Sequence, residues 1–392
     1  MYETLKQNFV NQFGAQPKWI FSAPGRTELS GNHTDHQHGR VLAAAVNLDT
    51  KAAVAPNSAS CIRVLSEGYP MCEIALPVGK PDSTQFGTTA SLIAGVAARF
   101  AELGHTVTGF DAYVTSDVLP GSGLSSSAAF EVLIGVIINH MGTCGLTAAE
   151  IAMVGQYAEN VYFGKPCGLM DQTASSVGNI ITIDFADPSA PQIQPLAFDF
   201  AAHNHALCII DSGASHADLT DCYAAIPAEL QTVCAVFGAK VLREVPEDVF
   251  YANIAKVRAA AGDRAVLRAI HVYEENKRVD SQVKALEQGD FDAFLKLVSA
   301  SGCSSWMLLQ NVIPEGRTAA QEVAFALTVA EHLLAGRGAV RVHGGGFAGT
   351  IQAFVPNDML DTFRTGIDSI LGAGSCHVLS IRPQGGVLLE EC

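Results

Sequence analysis

The sequence predicts a protein of two domains in which helices and strands are mixed. At 392 residues, the chain exceeds the length at which a single hydrophobic core usually stops growing. Apolar residues recur at helical spacing in residues 90–103 and 125–140, whereas residues 110–118 alternate as a strand does. We therefore expect a boundary between the two domains near residues 189–199, with a functional cleft between them.

The other elements follow from the same periodicities. Residues 2–13, 218–237 and much of 252–300 predict helices. Short apolar runs predict strands at residues 19–23, 41–54, 180–185, 206–211 and 350–355. A glycine-rich turn at residues 344–346 precedes the last of these strands. Helices and strands are therefore expected in both halves of the chain.

The composition argues against several classes of protein. No apolar run approaches the roughly 18 residues that a membrane span requires. The net charge of −15 opposes the attraction on which nonspecific nucleic-acid binding depends. The ten cysteines occur without CxxC pairs, and the chain does not begin with a basic segment followed by an apolar stretch. We expect a cytoplasmic protein that binds neither nucleic acid nor membrane, and the sequence predicts no particular oligomeric state.

A run of glycine and serine at residues 119–128 lies between the predicted strand 110–118 and the predicted helix 125–140. Glycine lets the backbone approach a phosphate closely, the start of a helix offers free N–H groups, and serine hydroxyls add donors or a magnesium ligand. The lysine of a Walker P-loop is absent. The run predicts an anion-binding loop, although an ordinary turn capped by serine has the same composition.

A polar segment at residues 24–39 places donors and acceptors densely between glycines. Such side chains suit a ligand rich in hydroxyl groups, because every buried hydroxyl must find a partner. Two alternatives stay open: a transition-metal site and a solvated loop. The possible metal ligands are His33, Asp35, His36 and His38.

Asp171 is an acid among small and apolar residues at 166–172. Partial burial would shift the pKa of such a carboxyl group, but a lone aspartate near glycine is also typical of a turn or cap. Glu159 lies in a helical stretch, where a surface carboxylate is the ordinary interpretation. Four glycines within residues 344–349 indicate close backbone approach, either to a phosphate or to another loop.

Taken together and in this order, these segments resemble the GHMP family of small-molecule kinases. Gly25-Arg26, followed by Gly-Asn-His-Thr-Asp at residues 31–35, is similar to the galactokinase branch of that family. Gly-Leu-Ser-Ser-Ser-Ala at residues 123–128 and Cys-Gly-Leu-Met-Asp-Gln at residues 167–172 are also close to the family pattern. The collinear order makes the resemblance more specific than any single segment.

The resemblance implies an α+β fold of two domains. Residues 1–195 would form an N-terminal ribosomal-protein-S5-like domain that binds ATP and sugar. Residues 196–392 would form a C-terminal ferredoxin-like domain that closes the active-site cleft.

The activity that the resemblance implies is ATP-dependent phosphorylation of the anomeric (C1) hydroxyl of a hexose, in the first place galactose. Arg26 and Asp171 match the catalytic positions, Asp171 as general base or orienting anion and Arg26 as a neutralising charge. The positions that match ATP contacts are Gly121, Ser122, Gly123, Leu124, Ser125, Ser126, Ser127 and Ala128. Sugar contacts match Asn32, His33, Asp35, Gly168 and Tyr223, and the Mg²⁺ ligands match Ser127 and Glu159.

The polar segment departs from the usual galactokinase pattern Gly-Arg-Val-Asn-Leu-Ile-Gly-Glu-His-Thr-Asp-Tyr. Glu28 replaces the Asn, Ser30 the Ile, Asn32 the Glu and His36 the Tyr. In the family that Glu contacts the hydroxyl on C6 of the sugar, so Asn32 removes an anion there. Two further alternatives are therefore a kinase for a related sugar such as galacturonate, and a sensor that binds sugar and ATP without turnover.

Overall fold

The larger of two β-sheets contains the residues of the predicted phosphate and sugar segments. The structure is a computed structural model that describes residues 2–118, 123–215 and 219–392. In these ranges the strands of the larger sheet are β1 (Trp19–Ser30), β2 (Arg40–Pro56), β3 (Cys61–Ser66), β4 (Cys72–Ala75), β5 (Phe110–Ser116), β6 (Ile180–Asp184), β7 (Gln192–Leu196) and β12 (Val387–Glu391). Their order is β12-β1-β2-β5-β3-β4, and β6 pairs with β2 and with β7. Only the β3–β5 pair among these described strands is parallel.

The smaller sheet is antiparallel in the described part of the chain. Its strands are β8 (His205–Ala214), β9 (Ala339–Val342), β10 (Gly349–Pro356) and β11 (Cys376–Leu379). They lie in the order β11-β8-β10-β9. The turn at residues 344–346 joins β9 to β10, so its position is set by the pairing of these two strands.

Helices cover both sheets. Those of the N-terminal half are α1 (Glu3–Phe13), α2 (Thr89–Glu102), α3 (Ser126–Met141), α4 (Ala148–Tyr157) and α5 (Met170–Val177). The others are α6 (Thr220–Val236), α7 (Glu247–Ala252), α8 (Ile254–Ala261), α9 (Asp263–Glu287), α10 (Phe291–Ser304), α11 (Glu322–Leu334) and α12 (Leu360–Leu371). Two π-helical turns, Ala158–Phe163 and Ser305–Leu309, follow α4 and α10 directly. In the described ranges no helix is both long and apolar enough to cross a membrane.

Six apolar clusters hold the described elements together, and two of them involve the larger sheet and its packing on the smaller one. The first lies between the larger sheet and helices α2 to α4, where Phe21 and Phe110 pack with Phe100 and Val132. Because α3 is apolar on most of its sides, it is buried in this core rather than lying on the surface. The second core contains residues of both sheets, so the sheets pack against one another through it.

Most of the predicted elements are confirmed, with boundaries shifted by a few residues. The polar segment is the main difference, because residues 24–30 continue β1 instead of forming a loop. The charged stretch 252–300 is broken by turns near Gly262 and at residues 288–290. Residue 218, the predicted start of a helix, lies outside the described residues, and α6 begins at Thr220.

The predicted division at residues 195 and 196 stays a prediction. β7 crosses this point, since it ends at residue 196. The last strand also differs from the expected arrangement, because β12 pairs with β1 in the larger sheet and not with the strands that precede it. The chain therefore returns to its N-terminal half before it ends at Cys392.

Phe294 tests the packing of the second core. Its ring is fully buried, with the ring centroids of Phe200 and Phe354 at 6.0 and 5.3 Å. We expect Phe294→Ala to lower the free energy of unfolding by about 3–5 kcal/mol, because it removes a buried ring and leaves a cavity. The measurement is urea unfolding followed by circular dichroism.

The matched control is Phe325→Ala, since the Phe325 side chain is 54% exposed. This substitution should change stability by less than about 0.5 kcal/mol. Equal losses of unfolding free energy in Phe294→Ala and Phe325→Ala would contradict the packing of Phe294 in the second core.

Candidate active site

Arg26 and Asp171 form a bidentate ion pair between β1 and the first turn of α5. Nε of Arg26 lies 2.7 Å from Oδ1 of Asp171, and Nη2 lies 2.9 Å from Oδ2. The guanidinium is buried, whereas 33% of the aspartate side chain is exposed. The pair therefore satisfies a buried cation and still leaves the carboxylate accessible to a ligand.

The charge state of Asp171 follows from its neighbours. Burial alone would raise the pKa of Asp171, but the charge and hydrogen bonds of Arg26 and the hydroxyl of Ser125 lower it below its ordinary value. The Ser125 hydroxyl donates to Oδ2. The carboxylate is therefore ionised at neutral pH, and in that form it only accepts hydrogen bonds and protons.

The phosphate-loop segment contacts the same ion pair. The carbonyl oxygen of Gly123 accepts a hydrogen bond from Nη1 of Arg26, and that of Leu124 accepts one from the Arg26 N–H at 3.0 Å. Gly123 has a φ of 71°, and a Cβ atom there would lie 2.8 Å from Oγ1 of Thr350 and 3.0 Å from Nδ1 of His343. Both the backbone conformation and the space require glycine.

The start of α3 supplies the other described residues of the predicted ATP contacts. Ser125 precedes the helix, and Ser126, Ser127 and Ala128 form its first turn. The N–H groups of a first turn have no partners within their helix and suit a phosphate. The predicted contacts Gly121 and Ser122 lie outside the described residues.

Glu131 and Gln172 form a cluster with the predicted magnesium ligand Glu159, and the sequence indicated a role for neither. The side-chain amide of Gln172 donates to Oε2 of Glu159 and to Oε2 of Glu131, at 2.9 Å in each case. Glu159 lies in the π-helical turn after α4, and Glu131 follows Ser127 by four residues on α3. Because residues four apart share a helix face, Ser127 lies on the side of α3 that faces this cluster.

The hydroxyl of Ser127 and the carboxylate of Glu159 are ligand types that fit Mg²⁺. This ion prefers oxygen ligands and completes its coordination with water and substrate phosphates. In the described part of the chain, no group of three or more His, Cys, Asp and Glu side chains is arranged to hold a metal ion by itself. Burial and the charge of Glu159 raise the pKa of Glu131 well above its ordinary value, which favours its neutral form. Glu159 is therefore the better carboxylate ligand of the two.

Two of the predicted sugar contacts, Asp35 and Gly168, lie against each other. A Cβ atom on Gly168 would lie 2.1 Å from Oδ2 of Asp35, so only glycine leaves room for this carboxyl group. Burial raises the pKa of Asp35, with the charge of Asp171 acting in the same direction and His33 opposing it. Asp35 thus lies within electrostatic range of the Asp171 carboxylate.

His33 and Tyr223 both reach the glycine turn at residues 344–346. Nε2 of His33 lies 3.0 Å from the carbonyl oxygen of Gly345, and the Tyr223 hydroxyl donates to that of Gly346 at 2.8 Å. The turn therefore contacts another loop, which was one of the two interpretations open for its glycines.

Comparison with known proteins agrees with this arrangement. Residues 7–56 match the galactokinase galactose-binding signature, and residues 91–179 match the N terminal domain of GHMP kinases. A galactokinase of Streptomyces coelicolor is 31% identical over 94% of this chain and 93% of its own length. The chain belongs to the galactokinase family. A galactokinase of Actinobacillus pleuropneumoniae serotype 3 is 30% identical over 91% of this chain and 90% of its own.

A solved structure shows the same fold. The galactokinase of Lactococcus lactis complexed with galactose matches with a TM-score of 0.84, covers 99% of both chains and is 24% identical. The predicted GHMP kinase fold is thereby confirmed. Membership of the galactokinase family makes the chain a sugar kinase and implies ATP as its substrate.

Asn32, a predicted sugar contact, is held by protein groups on both sides of its amide. It is fully buried, and Nδ2 donates to the carbonyl oxygen of Gly344 at 2.6 Å and to Oε1 of Glu28 at 3.1 Å. Oδ1 accepts from Nδ2 of Asn311 at 2.8 Å. Because protein groups use both ends of the amide, Asn32 links the polar segment to the glycine turn, and its role as a sugar contact stays a prediction.

The alternative of a transition-metal site in the polar segment is not supported. Nδ1 of His33 lies 3.3 Å from Nε2 of His36, so these imidazoles bond to each other. Burial, with the charge of His33, lowers the pKa of His36 to about 3. Asp35 and His38 complete no set of three metal ligands within the described ranges.

Two buried groups of α9 hold the polar segment from the other side, and the sequence did not indicate them. Oε1 of Glu275 accepts hydrogen bonds from the Gly31 N–H and the Ser30 hydroxyl, both at 3.1 Å. Nε2 of His271 lies 2.9 Å from the carbonyl oxygen of Asn32. The sequence signal for His271 and Glu275 is their spacing of four residues on a helix. Exposed helices show the same spacing, so it does not indicate burial.

Glu275→Gln should lower stability at pH 7 by about 3 kcal/mol, because the largely buried Arg278 loses its carboxylate partner. Burial alone would raise the pKa of Glu275, but the charges of His271, Arg278 and Arg341 lower it from 4.5 to about 2. The stabilisation by the carboxylate is therefore complete above about pH 5 and is lost as the pH falls towards 2.

The measurement is the difference in unfolding free energy between wild type and Glu275→Gln across this range. The difference should be constant near neutrality and shrink below about pH 4.5. Glu315→Gln is the control, because Glu315 is an exposed partner of Arg264 and should have little effect. A pH-independent difference would contradict the role given to the Glu275 carboxylate.

Proposed function

We propose that the protein transfers the γ-phosphate of ATP to the anomeric (C1) hydroxyl of galactose and forms galactose 1-phosphate. The observation that carries the proposal is the Arg26–Asp171 pair, which presents an ionised, partly exposed carboxylate beside the phosphate-loop segment. The relatives from Streptomyces coelicolor and Actinobacillus pleuropneumoniae are galactokinases, and the Lactococcus lactis enzyme was solved with galactose. These likenesses support galactose as the acceptor.

Asp171 orients the C1 hydroxyl and receives its proton. The C1 oxygen forms a bond with the γ-phosphorus while the bond from that phosphorus to the β,γ-bridging oxygen breaks, and ADP leaves. Since the transition state of phosphoryl transfer is loose, positioning matters more than a high pKa of Asp171. Arg26 stabilises the negative charge of Asp171 and of the phosphoryl group in transfer.

The nucleotide phosphates are assigned to residues 121–128 and the start of α3. Ser127 and Glu159 would hold Mg²⁺, which when bound neutralises phosphate charge. Burial raises the pKa of Glu131, which favours its neutral form and makes it the weaker candidate ligand. Gln172 holds Glu159 at Oε2 and so limits its rotation.

The sugar hydroxyls are assigned to His33, Asp35, Gly168 and Tyr223. A carboxylate accepts hydrogen bonds from the hydroxyls of a polyol, and the donors of His33 and Tyr223 are shared with the glycine turn at residues 344–346. Gly168 contributes space, because a side chain there would collide with Asp35.

Neither alternative function has an observation in its favour. The galacturonate alternative depends on the absence of a carboxylate at Asn32. Asn32 bonds to the carboxylate of Glu28, so the cluster still contains such a group. A sensor without turnover would not need the assembled Arg26–Asp171 pair.

Asp171→Asn should lower kcat for galactose phosphorylation at least about 100-fold, because the amide cannot receive the hydroxyl proton. MgATP affinity should stay within about threefold, since the loop and α3 remain in place. The measurements are coupled detection of ADP for turnover and calorimetry for binding. Asp263→Asn is the control, because Asp263 pairs with Arg258 at an exposed site. Retained turnover in Asp171→Asn would remove Asp171 from its role.

A panel of acceptor sugars tests which sugar the protein phosphorylates. Galactose should give the highest kcat/KM, and galacturonate at least about 100-fold less, because it brings a carboxylate near the acidic groups of the site. N-acetylgalactosamine and arabinose complete the panel. Faster turnover of galacturonate than of galactose would overturn the assignment of galactose.

A further inference from the structure

Lys165 is a cation beside the predicted magnesium ligand. Its Nζ lies 3.1 Å from Oε1 of Glu159, and its backbone N–H donates to the carbonyl oxygen of the same residue at 3.1 Å. The preceding Gly164 ends the π-helical turn and is covered by Phe86, whose ring a Cβ atom there would meet at 2.1 Å. The backbone of Lys165 is therefore held in place, while 64% of its side chain is exposed.

The charge of Lys165 acts on both carboxylates of the site. Glu159 is the ion-pair partner of Lys165, and a lysine amine is protonated at neutral pH. In return, the ammonium group contributes to the lowered pKa of Asp171. Lys165 thus lies within electrostatic range of the groups assigned to the metal and to the reacting hydroxyl.

Arg26 cannot supply the same free charge. Its guanidinium is buried and donates to both oxygens of Asp171 and to the carbonyl oxygen of Gly123. The ammonium group of Lys165 has three donors on a flexible stem and donates to Glu159 at an exposed position. A cation of this second kind suits a triphosphate, because its flexible stem lets the ammonium group move to the phosphate oxygens.

We propose that Lys165 binds the terminal phosphate of the nucleotide, exchanging its bond to Glu159 for one to a phosphate oxygen when Glu159 takes up its role as a magnesium ligand. The inference rests on the proposed function for the presence of nucleotide and metal. It adds a phosphate-binding residue outside the glycine and serine run. The ion pair with Glu159 is then the resting position of this side chain in the free protein.

Calorimetric titration without sugar tests the proposal with Lys165→Met. The affinity for MgATP should fall about tenfold, the affinity for MgADP by less than about threefold, and that for AMP should not change. Lys165→Arg should restore MgATP affinity to within about threefold of wild type, because a guanidinium also binds phosphate. Lys277→Met is the matched control, since Lys277 is 53% exposed and pairs with Glu247.

Two results would overturn the proposal. MgATP affinity within twofold of wild type in Lys165→Met would show that the ammonium group does not bind nucleotide. Equal losses for MgATP and MgADP would remove the assignment to the terminal phosphate. Turnover of galactose by the wild-type protein is measured separately. A protein that shows the nucleotide effect without phosphorylating galactose would contradict the proposed function and leave the role of Lys165 supported.

Discussion

The ion pair between Arg26 and Asp171 is the constraint on which the site depends. A buried guanidinium is stable only when acceptors compensate its charge, and here Asp171 and the carbonyl of Gly123 do so. These partners are 145 and 97 residues away from Arg26 in the chain. The reactive groups therefore come together only when β1 packs against α3 and α5. The same contact lowers the pKa of Asp171, so the ionisation of the carboxylate is a consequence of the fold.

β1 also fixes the second sheet relative to the site. Nε2 of His343 accepts from the Glu28 N–H at 3.3 Å, and burial lowers the pKa of His343 well below its ordinary value. The neutral ring must then carry its proton on Nδ1, which donates to Oγ1 of Thr350 at 2.9 Å. Gln352 adds a bond to Oγ1 of Thr27 at 2.8 Å. The glycine turn between β9 and β10 is thereby held against the polar segment.

Local chemistry could be predicted from the sequence, and roles that depend on distant packing could not. The apolar pattern of α3 and the glycine-rich turn at residues 344–346 are visible in short stretches of chain. Glu131 and Glu275 are charged residues on helices, and their burial depends on segments far away in the sequence. The pairing of β12 with β1 could not be predicted either, because both strands have only ordinary strand patterns and these do not indicate a partner. The hydrogen bonds of Asn32 to Gly344 and Asn311 are remote in the same way, because no local pattern indicates which way an amide points.

The departures at positions 28 and 32 are best understood as one change. The usual galactokinase pattern has an amide at the first position and a carboxylate at the second, and this chain has the reverse order. The two side chains bond at 3.1 Å, so in this chain the exchanged amide and carboxylate contact each other. Glu28 meets Arg341 of β9 at 2.6 Å, a cation that its new position requires. Because the summed charge of the pair is unchanged, the absence of an anion at Asn32 no longer argues for an acidic sugar.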